Sequence, residues 1–242
     1  IPTEHKVLSS VPVLEHDLFT NGIAYVDLAF DIAHVSEDLQ PYLPLLGKIM
    51  GGMGAAGFTY DEMSRRIALH MGGFGYDLTA GFLADATDTW QKMIFSFKAL
   101  YRNVPEAIHT VCDILFAGDL DHEARMRDLI AERKNGLQSS VVPSGHAFAK
   151  RAAGAALTLP AYRDEQWHGR TQLRFVQQQS DNSDSVRKNL REKLEQLKSI
   201  IFTRNNLIIN LTAEASGLEL ARENIGRLLA KLPQGQKMKK PD

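Results

Sequence analysis

A change of hydrophobic period along the chain limits its fold more than any other feature. Residues 24–30 alternate strictly, with Ala24, Val26, Leu28 and Phe30 on one face and Tyr25 and Asp27 on the other, as a half-buried strand requires. Phe74, Tyr76, Leu78, Ala80 and Phe82 repeat the pattern, followed by Met93, Phe95 and Phe97. The period then becomes helical. Ile108, Cys112 and Leu115 share one stripe, Met126, Leu129, Ile130 and Leu137 a second, and Val186, Leu190, Leu194, Leu197 and Ile201 a third. A short strand returns over 206–212, and Leu218 to Leu232 closes the pattern with Ile225, Leu228 and Leu229 on one helical face. Strands, then helices, then one strand and one helix describe an α+β chain: an antiparallel sheet covered by helices.

Local signals refine this plan. A weaker extended stretch over 12–19 ends at Asn21-Gly22, a hairpin-type turn, and is expected to pair with the strand that follows. Ser36 marks a helix start running through Leu43, Leu46 and Ile49 to Gly51-Gly52. Thr59 and Glu62 form a capping-box pair for a second helix. Asp121 and Ser144 read as N-caps. Gly51 to Gly57 reads as a flexible link, Gly72-Gly73 as a tight helix-to-strand turn, and residues 233–242, with Lys237, Lys239 and Lys240, as a frayed tail after the Ser/Asp/Asn loop that follows Gln179.

Composition excludes several classes. Lys and Arg number 28 against 29 Asp and Glu, so neither a strongly basic nucleic-acid binder nor an acidic tail is encoded, and no nucleic-acid partner is expected. There is no apolar run of 18 residues and no signal-peptide pattern at the start, so no membrane partner is expected. Cys112 is the only cysteine, which rules out an internal disulfide and fits a reducing interior. The chain opens on Ile1, consistent with a processed protein or an excised piece of a longer one.

The search for chemistry finds no assembled motif. HExxH and HxxEH are both absent, and His5, His16, His34, His70, His109, His122, His146 and His168 are dispersed. Cys112 lies three residues after His109 but shares a stripe with Ile108 and Leu115, so a buried small hydrophobe is the expected role. The glycine runs lack the Gly-Lys-Ser/Thr ending of a phosphate loop, and Ser144 and His146 stand outside any GxSxG context. Arg125, Arg127 and residues 187–198 mix both signs, as solvated helix faces do. No catalytic, metal-binding or cofactor-binding residue is assigned on these grounds.

Taken together, IPTEHKVLSSVPVLEHDLFTNGIAYVDLAFDIAH, DLQPYLPLLGKIMGGMGAAGFTYDEMSRRIALHMGGFGYDLTA, SSVVPSGHAFAKRAAGAAL and the closing NNLIINLTAEASG resemble the pitrilysin/insulinase-type zinc metallopeptidases, specifically the presequence-protease branch. The likeness covers nearly the whole chain and matches the third of four domains, at the start of the C-terminal half. In that family two halves close around a peptide chamber, and an HxxEH on the first helix of the first domain carries the zinc. The resemblance places Leu43, Leu46 and Gly47 where His, Glu and His would stand. None of the three offers a ligand or a general base.

The resemblance therefore implies one non-catalytic domain over residues 1–242, with zinc in the parent protein but no cofactor in this chain. It implies a share in the chamber wall and half-to-half interface of a metalloendopeptidase that degrades short unstructured peptides. The implied partners are the other domains of that peptidase and the peptide in its chamber. An apolar patch exposed where a neighbouring domain would pack is expected. The implied location is cytoplasmic in a bacterium, and the mitochondrial or plastid interior in a eukaryote. Two other readings remain: a free-standing binding or assembly module of the same fold, and an independent enzyme built around His146 or Cys112.

Overall fold

In the computed structural model, which describes residues 1–180 and 184–235, six strands form one sheet. They are β1 (Glu4–Leu8), β2 (Val11–Asp17), β3 (Ile23–Asp31), β4 (Phe74–Phe82), β5 (Thr89–Leu100) and β6 (Leu207–Ala213), in the order β1-β2-β6-β3-β5-β4. The helices are α1 (Leu43–Met50), α2 (Tyr60–His70), α3 (Val104–Ala117), α4 (Glu123–Val141), α5 (Gly145–Gly154), α6 (Leu159–His168), α7 (Arg170–Gln179), α8 (Asp184–Ile201) and α9 (Ala215–Lys231). The α+β class read from the sequence holds, with one parallel pair, β2 against β6, in an otherwise antiparallel sheet.

Register gives the sheet two unlike faces. Val26, Leu28 and Phe30 stand opposite Phe97, Phe95 and Met93 on one side and Leu211, Ile209 and Leu207 on the other. All nine are buried in the core with α-helical residues such as Leu46, Val111, Leu194 and Leu228. Phe30, Phe95 and Phe202 meet edge to face at its centre. The opposite face is polar. Ser96 Oγ donates to Asp27 (2.7 Å), Asn210 Nδ2 donates to Asp27 (3.0 Å), and Asn210 Oδ1 lies 2.8 Å from His16 Nε2, a ladder running across β5, β3, β6 and β2. A one-sided apolar strand buries only half of its residues, which is the origin of the alternation in the sequence.

Several local expectations need correction. The stretches that form β2 and β3 do not pair, because β6 lies between them. The turn at Asn21-Gly22 exists, with φ of 55° and 76°, but Glu214 at the end of β6 reaches into it and accepts the N–H groups of Thr20 (3.1 Å) and Asn21 (3.0 Å). The helix expected from Ser36 begins only at Leu43. Pro44 has no N–H to donate to Gln40, so the preceding residues form turns and a 3-10 turn over Gln40–Tyr42. At α4 the cap is His122, whose Nδ1 accepts from Arg125 N–H (3.1 Å), rather than Asp121. Ser144 stands at the N-cap position of α5 without a side-chain cap bond. β1 has no counterpart among the sequence expectations, because its mostly exposed EHKVL carries little alternation.

The Gly51 to Gly57 link is pinned rather than loose: Ala55 and Phe58 exchange backbone bonds, and Ala56 N–H donates to Ala117 O (2.8 Å). The frayed tail is also corrected at its start, since Arg204 and Asn205 donate their N–H groups to the carbonyls of Pro233 (2.9 Å) and Gln234 (3.2 Å). The rest of that tail, and most of the Ser/Asp/Asn loop, lie outside the described residues. The capping box of Thr59 and Glu62 forms as read, with both reciprocal bonds present.

A buried cation fastens the helical layer to the sheet. Arg163 of α6, 4 % exposed, donates to Gln91 of β5 (2.9 Å), to Gln166 (2.8 Å) and through both terminal nitrogens to Glu37. The Arg163 guanidinium holds the Glu37 carboxyl below the usual carboxylate range, against the opposing effect of partial burial. Burial would raise Asp31 as well, but the nearby His34 ring and hydrogen bonds from Lys92 and the Ala33 N–H outweigh it and hold that carboxyl low. Depressed carboxylates stabilise the fold fully above their unfolded pKa, near pH ~4, and lose that contribution as pH falls through the folded value. Urea midpoints should therefore decline on the acid side of about pH 4. Glu37→Gln should flatten that decline, and an unchanged acid slope would show that this pair does not set it.

Candidate functional site

Helix α1 is the element on which the resemblance would put catalytic chemistry, and its surroundings are packed. Leu43 and Leu46 are fully buried, and Gly47 is buried beside them. The Gly47 face is covered by Tyr76 of β4, the strand neighbour of Phe95 on the core side of the sheet. A Cβ built on Gly47 would collide with the Tyr76 ring, 2.2 Å from its Cδ2. The Tyr76 hydroxyl donates to the Pro44 carbonyl one turn earlier (2.8 Å), and burial pushes its pKa up, so it stays protonated as a donor. Glycine in a helix interior costs about 1 kcal/mol relative to alanine; here the missing side chain makes room for an aromatic ring. Lys48 turns outward to Glu132 of α4 (2.7 Å).

Zinc does not fit this place. It takes imidazole, thiolate or carboxylate donors in a tetrahedral shell, whereas the α1 positions carry two aliphatic side chains and a glycine under a ring. The histidines do not converge elsewhere either: among the described residues no three His, Cys, Asp or Glu side chains come together as a metal site. His16 joins the sheet ladder, His34 lies 3.9 Å from Asp31, His122 caps α4, and His168 lies 3.0 Å from Asp164. His109 is 3.7 Å from Asp113 and exposed. His5, His70 and His146 sit on or near the surface.

Cys112 has the buried role expected of it. It is 3 % exposed, and burial pushes its thiol up to about 11, far from the thiolate that nucleophilic chemistry needs. The ladder of Ser96, Asp27, Asn210 and His16 brings together residue types used in hydrolysis, a grouping not legible in the sequence. Its order is wrong for that chemistry, since Ser96 gives its proton to Asp27 and Asn210 separates His16 from both. The contact of Tyr76 with Gly47 is likewise absent from the sequence expectations, although a glycine between Leu46 and Ile49 in an apolar stripe is a signal of close approach.

The family model for the domain associated with M16 peptidases of subfamily C matches residues 1–178, so the chain belongs to that family, a non-catalytic domain of the pitrilysin type. Among curated proteins it is similar to Protein HypA of Clostridium perfringens, 28% identical over 96% of this chain and 24% of that protein. It is also similar to Presequence protease 1, chloroplastic/mitochondrial, of Arabidopsis thaliana, 25% identical over 97% of this chain and 22% of the relative. The chain thus spans about a quarter of these relatives. A solved structure of a peptidase M16 inactive domain from Pseudomonas fluorescens superposes with a TM-score of 0.65 at 15% identity, covering all of this chain and 53% of that one. A Helicobacter pylori protease superposes with a TM-score of 0.64 at 11% identity, covering 100% of this chain and 53% of its own. Both show the same fold.

The packing of α1 yields a non-additive expectation. Gly47→Ala should destabilise by about 1–3 kcal/mol through overpacking, despite the better helix propensity of alanine. In a Tyr76→Ala background the same change should be neutral or stabilising. Equal effects in both backgrounds, measured by urea denaturation, would contradict the contact.

Proposed function

We propose that this chain is a wall and docking domain of a larger pitrilysin-type peptidase, a zinc metalloendopeptidase acting on short unstructured peptides. The observation that carries this reading is the occupation of α1 by Leu43, Leu46 and the Tyr76 ring over Gly47, which leaves the helix a packing role. In this reading α1 is the counterpart of the catalytic helix. Zinc and the peptide-cleaving residues belong to another domain of the same protein, and the other domains are the partners of this one.

A surface suited to such packing lies around α5. That helix buries none of its residues, and apolar side chains stand exposed on either side of it in the chain. Val142 is 90 % and Leu157 78 % exposed, and Val141, Leu159 and Tyr162 are exposed as well. We read these side chains, at both ends of α5, as parts of a contact surface. Relatives about four times as long favour a domain of a longer protein over a free-standing module. The interior of mitochondria or plastids, named for the plant relative, or the bacterial cytoplasm is the proposed location; no helix among the described residues is long and apolar enough to cross a membrane.

The test uses the full-length protein that carries this chain, with Val142→Asp and Leu157→Asp together. Peptide cleavage should fall about tenfold or more through lost domain contact, with zinc content unchanged and the melting temperature of the 242-residue chain alone unaffected. Full retention of cleavage would contradict docking through this face.

A further inference from the structure

A cavity of about 590 Å³ opens on the helical side, between α4, the end of α7 and α8, away from α1. Its floor is apolar, built from Leu120, Met126, Ile130 and Ala131, three of them buried. On α4 the floor residues Ile130 and Ala131 are flanked by Arg127 and Lys134, and α8 adds Lys188 to the facing wall. The remaining charges of the lining neutralise one another: Arg187 lies 3.4 Å from Glu123, and Arg191 pairs with Asp121. Arg127, Lys134 and Lys188 have no carboxylate partner among the described residues. Among the described residues, three cations without an ion-pair partner thus stand around an apolar floor.

Both parts of this arrangement select a ligand. The volume lies in the range of small-molecule sites, which are largely apolar with a few polar groups that fix orientation. A flexible lysine or arginine head can follow an anionic group while its aliphatic stem extends the apolar wall. We propose that this cavity binds a small amphiphilic carboxylate, its apolar body over Ile130 and Ala131 and its head among Arg127, Lys134 and Lys188. The combination of an apolar floor and three cations at its rim favours such a molecule over a neutral or cationic one. The wall role proposed above makes no use of the cavity, so the two inferences stand or fall separately.

Dodecanoate below its micelle concentration, titrated calorimetrically into the chain, is a suitable probe. One saturable site is expected, with neutral dodecanol at least tenfold weaker. The combined variant Arg127→Gln, Lys134→Gln, Lys188→Gln, all on the surface or half-buried, should keep its melting temperature and bind about tenfold or more weakly. Ala131→Phe should abolish binding by filling the floor. Absence of a saturable site, equal affinity for dodecanol, unchanged binding in the charge variant, or tighter binding of an acidic apolar peptide than of dodecanoate would each overturn the proposal.

Discussion

The N-terminal hairpin is joined to the rest of the sheet only through β6, a strand that arrives more than a hundred residues after β5. β6 pairs in parallel with β2 and antiparallel with β3, and Leu207, Ile209, Leu211 and Ala213 all turn into the core. Its far end is fastened by Glu214, which takes the N–H groups of the β2–β3 turn and the hydroxyls of Thr20 and Tyr101. The family match ends at residue 178, yet the sheet cannot close without residues 207–213. Such pairing has a high contact order, so sheet completion depends on contacts distant in sequence.

With the sheet closed, its two faces divide the work. The apolar face receives the helices, and Arg163 ties α6 to it through Gln91. A buried cation of this kind is tolerable only because every contact it makes is a good acceptor. The same face delivers Tyr76 onto Gly47, so β4 and α1 are locked together.

Much of this was legible in the sequence because burial is periodic. The alternation of Ala24 to Phe30, the α8 stripe from Leu190 to Ile201 and the Thr59-Glu62 capping box each state a local rule that the structure obeys. Strand order was not legible, since the Asn21-Gly22 turn signals only a local reversal and says nothing of a strand inserted from position 207. Asp121 yields its expected role to His122 and pairs instead with Arg191 of α8, a partner seventy residues away that the local sequence does not show. The cavity and the Ser96 to His16 ladder depend on residues far apart in the chain, for which one sequence carries no signal.

Bound zinc per chain tests the reading of α1 most directly, by elemental analysis of protein purified without chelator or histidine tag. A ratio near zero is expected, because Leu43, Leu46 and the ring over Gly47 offer no donor. A ratio near one would contradict it, since the dispersed histidines would then have to converge and the domain would hold a metal site of its own.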